Sequence, residues 1–276
     1  MSSLRIAVRL ILAWVALLAA QMLAGMVIHM TAPPTPGVMP WLMVANAGIV
    51  LALGAAALRS DWRDWKLAAA MFAAPAAIAT VNMIEGVFFL TNSHIDWRGV
   101  IEITLLGFAI AALLWWLIFR GAPVVNAVEA PIPHRSFGQI LSRVVLCSAC
   151  YVFLYYLAGF IIFPYVRDFY ATQHLPGVGE IVAMQFLLRG PVFLMVCLLL
   201  LRMFRLPHLA GALAVGLAFT VLSGVAPLIV PNPFFPDAVR WVHFGEVTSS
   251  NFVFGCLVGW IWGRAQQVAH LFPARA

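Results

Sequence analysis

Charged side chains are scarce in this chain. Asp, Glu, Lys and Arg make up 9% of its 276 residues, against about 25% in an ordinary soluble domain. Lys66 is its only lysine. With 64% hydrophobic residues and a mean hydropathy of +0.99, there is too little polar surface to cover the apolar part in water. A soluble globular enzyme and a disordered chain are both excluded. Cysteine is sparse too: Cys147, Cys150, Cys197 and Cys256 all lie within apolar runs, which excludes a secreted disulfide scaffold. Cys147-Ser-Ala-Cys150 has the spacing of a thiol redox pair, but no loop cysteine exists to relay electrons to it. All four read as small packing residues. Also missing are a Walker A loop, H-E-x-x-H, G-x-S-x-G and a nucleotide-binding glycine fingerprint. No basic run with interleaved aromatics occurs, so the net charge of +6 does not point to nucleic acid.

What is present is a series of long apolar runs. A membrane-spanning helix needs roughly 20 predominantly apolar residues, and eight stretches qualify: 6–29, 38–58, 67–90, 99–119, 141–164, 181–201, 208–230 and 241–263. Turn-forming segments separate them, among them Thr31-Ala-Pro-Pro-Thr-Pro-Gly37 and Pro231-Asn-Pro-Phe-Phe-Pro236. The first run exceeds the roughly 7–15 residues of a signal-peptide core, so it reads as a retained helix. Eight spans place both termini on one side, with Arg5, Arg9, Arg59, Arg63, Lys66, Arg120, Arg135, Arg143, Arg202, Arg205, Arg264 and Arg275. The other side keeps only Arg98, Arg167 and Arg240. By the positive-inside rule both termini are expected in the cytoplasm, in the cell membrane of a bacterium, its inner membrane.

Residues 97–120 and 241–264 align without a gap. Trp97, Glu102, Thr104, Phe108, Leu113, Trp116 and Arg120 match Trp241, Glu246, Thr248, Phe252, Leu257, Trp260 and Arg264. More loosely, Arg9-Leu-Ile-Leu12 matches Arg143-Val-Val-Leu146, and Pro36-Gly-Val38 matches Pro176-Gly-Val178. The fold expected is therefore all-α: a polytopic transmembrane bundle of eight helices in two four-helix repeats. Residues 1–120 form the first, 121–139 a proline-containing cytoplasmic linker, and 140–276 the second. Four is even, so the repeats share one orientation and are parallel, as in one class of transporters.

Ionisable groups at membrane depth are costly and stand as functional candidates. Arg189 falls about 13 Å below Glu180 at the helical rise, close to mid-bilayer. Glu85, with Asn82 one turn before it, and Glu102 and Glu246 fall in the outer half of their spans. His243 precedes Glu246 by three residues on the same helix face, with Asn251 nearby. Gly190-Pro191 after Arg189 frees backbone carbonyls there, and Pro75 and Pro227 offer similar kinks. These residues outline an outward-facing cavity in which Arg189 is balanced by Glu85, Glu102 or Glu246. Blander readings compete. Glu102 and Glu246 also suit the positive N-terminal ends of their helices, and Trp97 and Trp241 read as interfacial anchors. No metal site is expected, because the counterpart of His243 is Gly99. Haem ligation by His29, His94, His174 and His243 is a weak alternative. The stripe Gly255, Gly259, Gly263 reads as a close helix seam, within the chain or in a homo-oligomer.

Three functions fit this pattern. The first is a transporter of a small molecule or ion, with Arg189, Glu85, Asn82, Glu102, Glu246, His243 and Asn251 as ligand-binding or ion-coupling candidates. The second is a membrane-embedded enzyme, or a cofactor- or lipid-binding protein, at the outer leaflet. The third is a sensor or assembly subunit. Membrane lipid is the one partner common to all three.

Overall fold

In the computed structural model the described residues are 2–28, 37–90, 96–123, 136–173, 175–232 and 234–263. They form helices and connections, with no strand among them. The helices are α1 Ser3–Val27, α2 Val38–Arg59, α3 Trp65–Phe89, α4 Trp97–Phe119 and α5 Phe137–Tyr170. They continue with α6 Val178–Phe204, α7 His208–Ile229 and α8 Asp237–Trp262. Seven of them, α1 to α7, are long and apolar enough to cross a membrane. Helix α8 is equally long and stands where the eighth span was expected. It is more polar than the others, because Asp237, Arg240, His243, Glu246, Ser249, Ser250 and Asn251 share its first half. Helix α5 runs six residues past its expected end at 164, carrying Pro164 within it.

Side chains close several helix starts. Asp64 accepts from the Lys66 N–H and Asp96 from the Gly99 N–H, each at 3.1 Å. Ser136 and Gln139 form a reciprocal capping box on α5. Each such bond satisfies a donor that the first turn would otherwise leave bare. Arginines answer the opposite ends. Arg9 on α1 donates to the Ile118 carbonyl near the end of α4, and Arg143 on α5 donates to the Ile261 carbonyl near the end of α8.

Helix α4 packs against α1 and α3, and α8 packs against α5 and α7. The two groups of four meet where α2 lies along α7 and α6, and where α3 lies along α6. Small residues make the closest seam. A Cβ added at Gly255 would stand 2.8 Å from the Cα of Gly216, and one at Gly259 would stand 2.5 Å from the Cα of Ala212. The glycine stripe of α8 is thus covered by α7 of the same chain, which suits a bilayer where close packing drives helix association.

The two ends of the bundle differ in filling. Toward the end that carries the start of α1, the interior is closed by large buried side chains: Trp115, Phe119, Phe193, Leu200, Met203 and Phe219. Tyr151, Phe193, Phe219 and Phe254 pack around one another with centroids 5.0–6.0 Å apart, three of the pairs edge to face and Phe219–Phe254 tilted. Above this aromatic floor the packing stops and a cavity begins.

Two helices widen beside that cavity. Met184–Arg189 in α6 and Val221–Val225 in α7 are π-helical. Each run ends two residues before a proline, Pro191 and Pro227. Proline has no N–H and its ring collides with the carbonyl four residues back, so a wider turn is a common way to absorb the misfit. Pro75 instead sits within an unbroken α3.

Candidate functional site

A cavity of about 370 Å³ extends from Arg189 and Pro75 to Trp97, Asn232, Phe234 and Phe235 at the end of the bundle away from the start of α1. All eight helices line it, and most of its wall is apolar. Its size is that of a small-molecule pocket.

Arg189 is the deepest charge. It lies eleven residues into α6, about 16 Å along the helix at the usual rise, and is 5% exposed. Its guanidinium pairs with Glu85 on α3 and donates to Asn82 Oδ1 at 3.0 Å, one turn earlier on the same face. Gln185, one turn before Arg189, donates to the other oxygen of Glu85 at 3.1 Å. The arginine also lies over the ring of Phe193, 5.0 Å from its centroid. Both oxygens of Glu85 therefore have donors, and the pair links the two groups of helices. Arg189 Nε and Gln185 Oε1 are buried with no partner among the described residues.

A second constellation joins α8 to the end of α5. His243 Nδ1 lies 2.6 Å from Glu246 Oε2, one turn along α8. Its Nε2 lies 2.9 Å from the hydroxyl of Tyr170 at the end of α5. Both His243 and Glu246 are nearly buried, with side chains 11% and 10% exposed. The carboxylate fixes the imidazole tautomer, placing the proton on Nδ1 and leaving Nε2 to accept from Tyr170 when the ring is neutral. A third polar contact joins Asn251 Nδ2 to Ser223 Oγ at 2.8 Å, beside the π-turn of α7. A fourth is the reciprocal amide pair of Gln21 and Asn46.

Of the residues singled out in the sequence, Arg189, Glu85, Asn82, His243, Glu246 and Asn251 all line this cavity. Glu102 is not among its lining residues. It pairs at 2.7 Å with Arg98, one turn earlier, and is 42% exposed. Trp97 does more than anchor an interface: it stacks on Phe234 with centroids 5.1 Å apart, and a Cβ at Gly86 would stand 2.5 Å from its ring. Trp241 is 42% exposed and meets Trp41 edge to face.

Sequence reasoning missed Gln185, the tyrosines 151, 155 and 170, and the Gln21–Asn46 pair. Spacing held the signal for some of them, since Gln185 precedes Arg189 by four residues and Tyr151 precedes Tyr155 by four. Gln21 and Asn46 were polar residues in otherwise apolar runs. Three of the four histidines weighed for haem, His29, His94 and His174, lie outside the described residues. Among the described residues no cluster of three His, Cys, Asp or Glu side chains is placed to hold a metal.

Comparison with protein-family models, with curated proteins and with solved structures found no match for this chain.

Proposed function

We propose that this multi-pass membrane protein is a transporter of a small molecule or ion, and that its cavity is the binding site in a state open to one side. The observation that carries the reading is Arg189: a buried cation at mid-helix, neutralised by Glu85 from the other group of helices, at the closed end of a one-sided cavity. Intramembrane ionisable groups are expensive, and those that face a cavity mark ligand or ion pathways by default. Such a pair is also a seam at which two groups of helices can part.

The architecture we propose is eight spans in two parallel four-helix repeats. Two features support it. Exchanging α1–α4 with α5–α8 maps the α3–α6 contact onto the α7–α2 contact, as an axis along the membrane normal would. Arg9 and Arg143, aligned in the sequence, each donate to a carbonyl near the end of the fourth helix of their group. The packed end carries a clasp between the groups, in which Asp61 meets Arg202 at 2.9 Å and Arg205 at 3.3 Å. An access cycle needs contacts of this kind, which can open without exposing the core. The distribution of arginines supports cytoplasmic termini in a bacterial inner membrane, with the cavity facing outward.

The test is flux. Proteoliposomes carrying the full chain, screened by solid-supported-membrane electrophysiology with small ions and amphiphiles, should give currents. Arg189→Ala, still folded by gel filtration and circular dichroism, should lose them. Currents undiminished in that variant would remove the reading. A second reading, an acid–base enzyme, is favoured by His243 standing between Glu246 and Tyr170 on the cavity wall. Turnover of an added substrate without flux would favour it.

A further inference from the structure

The charges of the cavity do not cancel. Arg189 and Glu85 neutralise each other, and the three lining tyrosines are neutral near pH 7. What remains is Glu246, beside a histidine that is neutral or cationic according to pH. With His243 neutral the cavity holds one net negative charge. Glu246 Oε2 is taken by His243, while Oε1 has no hydrogen-bond partner among the described residues. That oxygen faces Gly159 of α5, where an added Cβ would stand 3.9 Å from it. The aromatic rings gather at the histidine, with Tyr170 and Phe235 5.8 and 5.0 Å from His243, centroid to centroid, and Tyr155 lines the same cavity. A nearly buried carboxylate with one oxygen lacking a donor among the described residues, on the wall of a largely apolar cavity that also carries aromatic rings, is suited to a cation with an apolar body.

Resting on the transport reading above, we propose that the cavity takes a small organic cation and that Tyr170–His243–Glu246 carries the single proton this cation displaces. Two loaded states have the same net charge. In one, His243 is protonated and its charge with that of Arg189 balances the two glutamates. In the other, the proton has left Nε2 for water at the cavity mouth and the ligand's charge replaces it. Proton and ligand together would place an extra positive charge at membrane depth, so each excludes the other. The hydroxyl of Tyr170 reports the exchange. It donates to Nε2 when His243 is neutral, and accepts from Nε2–H when His243 is charged, turning its own proton elsewhere.

The groups facing this relay are few. Helix α5 brings Tyr151, Tyr155 and Tyr170 to the cavity, α6 brings Arg189, and α3 brings Glu85 from across it. Helix α7 brings Ser223, and its only ionisable side chain, His208, is at the opposite end against the Trp260 carbonyl. On α8 itself Arg240 is engaged with Asp237 and with the carbonyls of Leu228 and Ile229. The side chains in direct polar contact with His243 are therefore Glu246 and Tyr170.

The experiment is isothermal titration calorimetry of the purified full chain with benzyltrimethylammonium, with benzenesulfonate as an anion of similar size. Titrations in two buffers of different ionisation heat give the protons released per cation bound. The cation should bind and the sulfonate should not. Proton release should approach one as pH is lowered, and affinity should fall with it by up to about tenfold per pH unit. His243→Gln keeps a donor for Glu246 and should bind the cation with no proton release and no pH dependence. Should that variant fail to fold, His243→Asn carries the same test. Glu246→Gln should weaken binding at least tenfold at every pH. Failure of the cation to bind, preference for the sulfonate, or proton release unchanged in the His243 variant would each overturn the proposal. Binding with proton release but no flux in proteoliposomes would overturn the transport reading alone.

Discussion

Helices α4 and α8 align residue for residue, yet they use the aligned positions in opposite ways. Glu102 and Glu246 occupy the same place. Glu246 turns into the cavity and holds His243, while Glu102 turns out to Arg98. The neighbours decide the outcome. Where α8 has Val242 and His243, α4 has Arg98 and Gly99. Arg98 draws its glutamate to the surface. A side chain at position 99 would have to push aside the carboxylate that caps α4, because a Cβ there would stand 2.6 Å from Asp96 Oδ2. Helix α8 begins about one turn earlier in the alignment, at Asp237, so His243 lies in its second turn, clear of the helix start. Deeper down the contrast reverses: Gly255 and Gly259 of α8 stand where α4 has Ala111 and Trp115. One helix is filled by an indole that is fully buried and bonded at 2.8 Å to the Ala13 carbonyl. The other is bare so that α7 can approach. Two helices that share a residue pattern can thus differ in use, with only one of them lining the cavity at the shared glutamate.

The largest effects expected are on stability. Trp115→Ala removes a fully buried indole and its hydrogen bond, and should cost about 3–5 kcal/mol. Gly259→Ala adds only a methyl group, yet its carbon meets the backbone of Ala212 and should cost about 1–3 kcal/mol by overpacking. Thermal unfolding of the two variants in detergent checks both. If Gly259→Ala were neutral, the seam would be looser than its geometry, and the contrast between the helices would fail at depth.

The next effect is functional. Glu246→Gln removes the charged partner of a buried hydrogen bond worth about 1.5–3 kcal/mol, a loss of roughly tenfold to a hundredfold in ligand response. Glu102→Gln, which breaks only a solvent-facing pair, should stay within about twofold. Flux or cation binding measured side by side on the two variants decides the matter. Equal losses would mean that the aligned glutamates serve alike and that the difference in their settings is without consequence.

Much of this was legible in the amino-acid order, and the limits have physical causes. Long apolar runs with polar breaks mark helices because a bilayer permits little else, so the positions of the seven long apolar helices could be read directly. The end of α5 could not, because Pro164 reads as a breaker and here stays inside the helix. The deep pair of Arg189 with Glu85 was visible as charges in apolar runs, since membrane depth makes such residues conspicuous. Which glutamate balances the arginine was not visible, because it depends on how α3 faces α6. The alignment of 97–120 with 241–264 also treated Glu102 and Glu246 as equals. Only the packing shows that a residue one turn before each, Arg98 or His243, sends them in different directions. The tyrosines stayed hidden because aromatics are ordinary in such runs and only contact with His243 sets Tyr170 apart.

The smallest effect expected lies where the two groups of helices meet at the packed end, and there the comparison runs between loops. The α2–α3 connection offers Asp61, and the end of α6 offers Arg202 and Arg205. Arg202 grips both oxygens of Asp61, at 2.9 and 3.0 Å, and lies over the ring of Trp62. The hydrogen bonds from Arg202, against the opposing cost of partial burial, hold the Asp61 carboxyl below its ordinary value. A carboxyl whose folded value is depressed contributes stability that is present above its unfolded value and is lost as pH falls through the folded one. The clasp is therefore intact across neutral pH and opens only in strong acid, below pH 4. Asp61→Asn should lower stability by about 0.5 kcal/mol at pH 7, because Asp61 is 37% exposed and solvent-screened pairs of this kind are worth little. The gap between variant and wild type should close as the wild-type carboxyl is protonated. A gap that persisted undiminished at pH 3 would mean that the arginines hold the loop through something other than its charge. A gap of several kcal/mol at neutral pH would mean that the two groups depend on this one contact far more than its exposure allows.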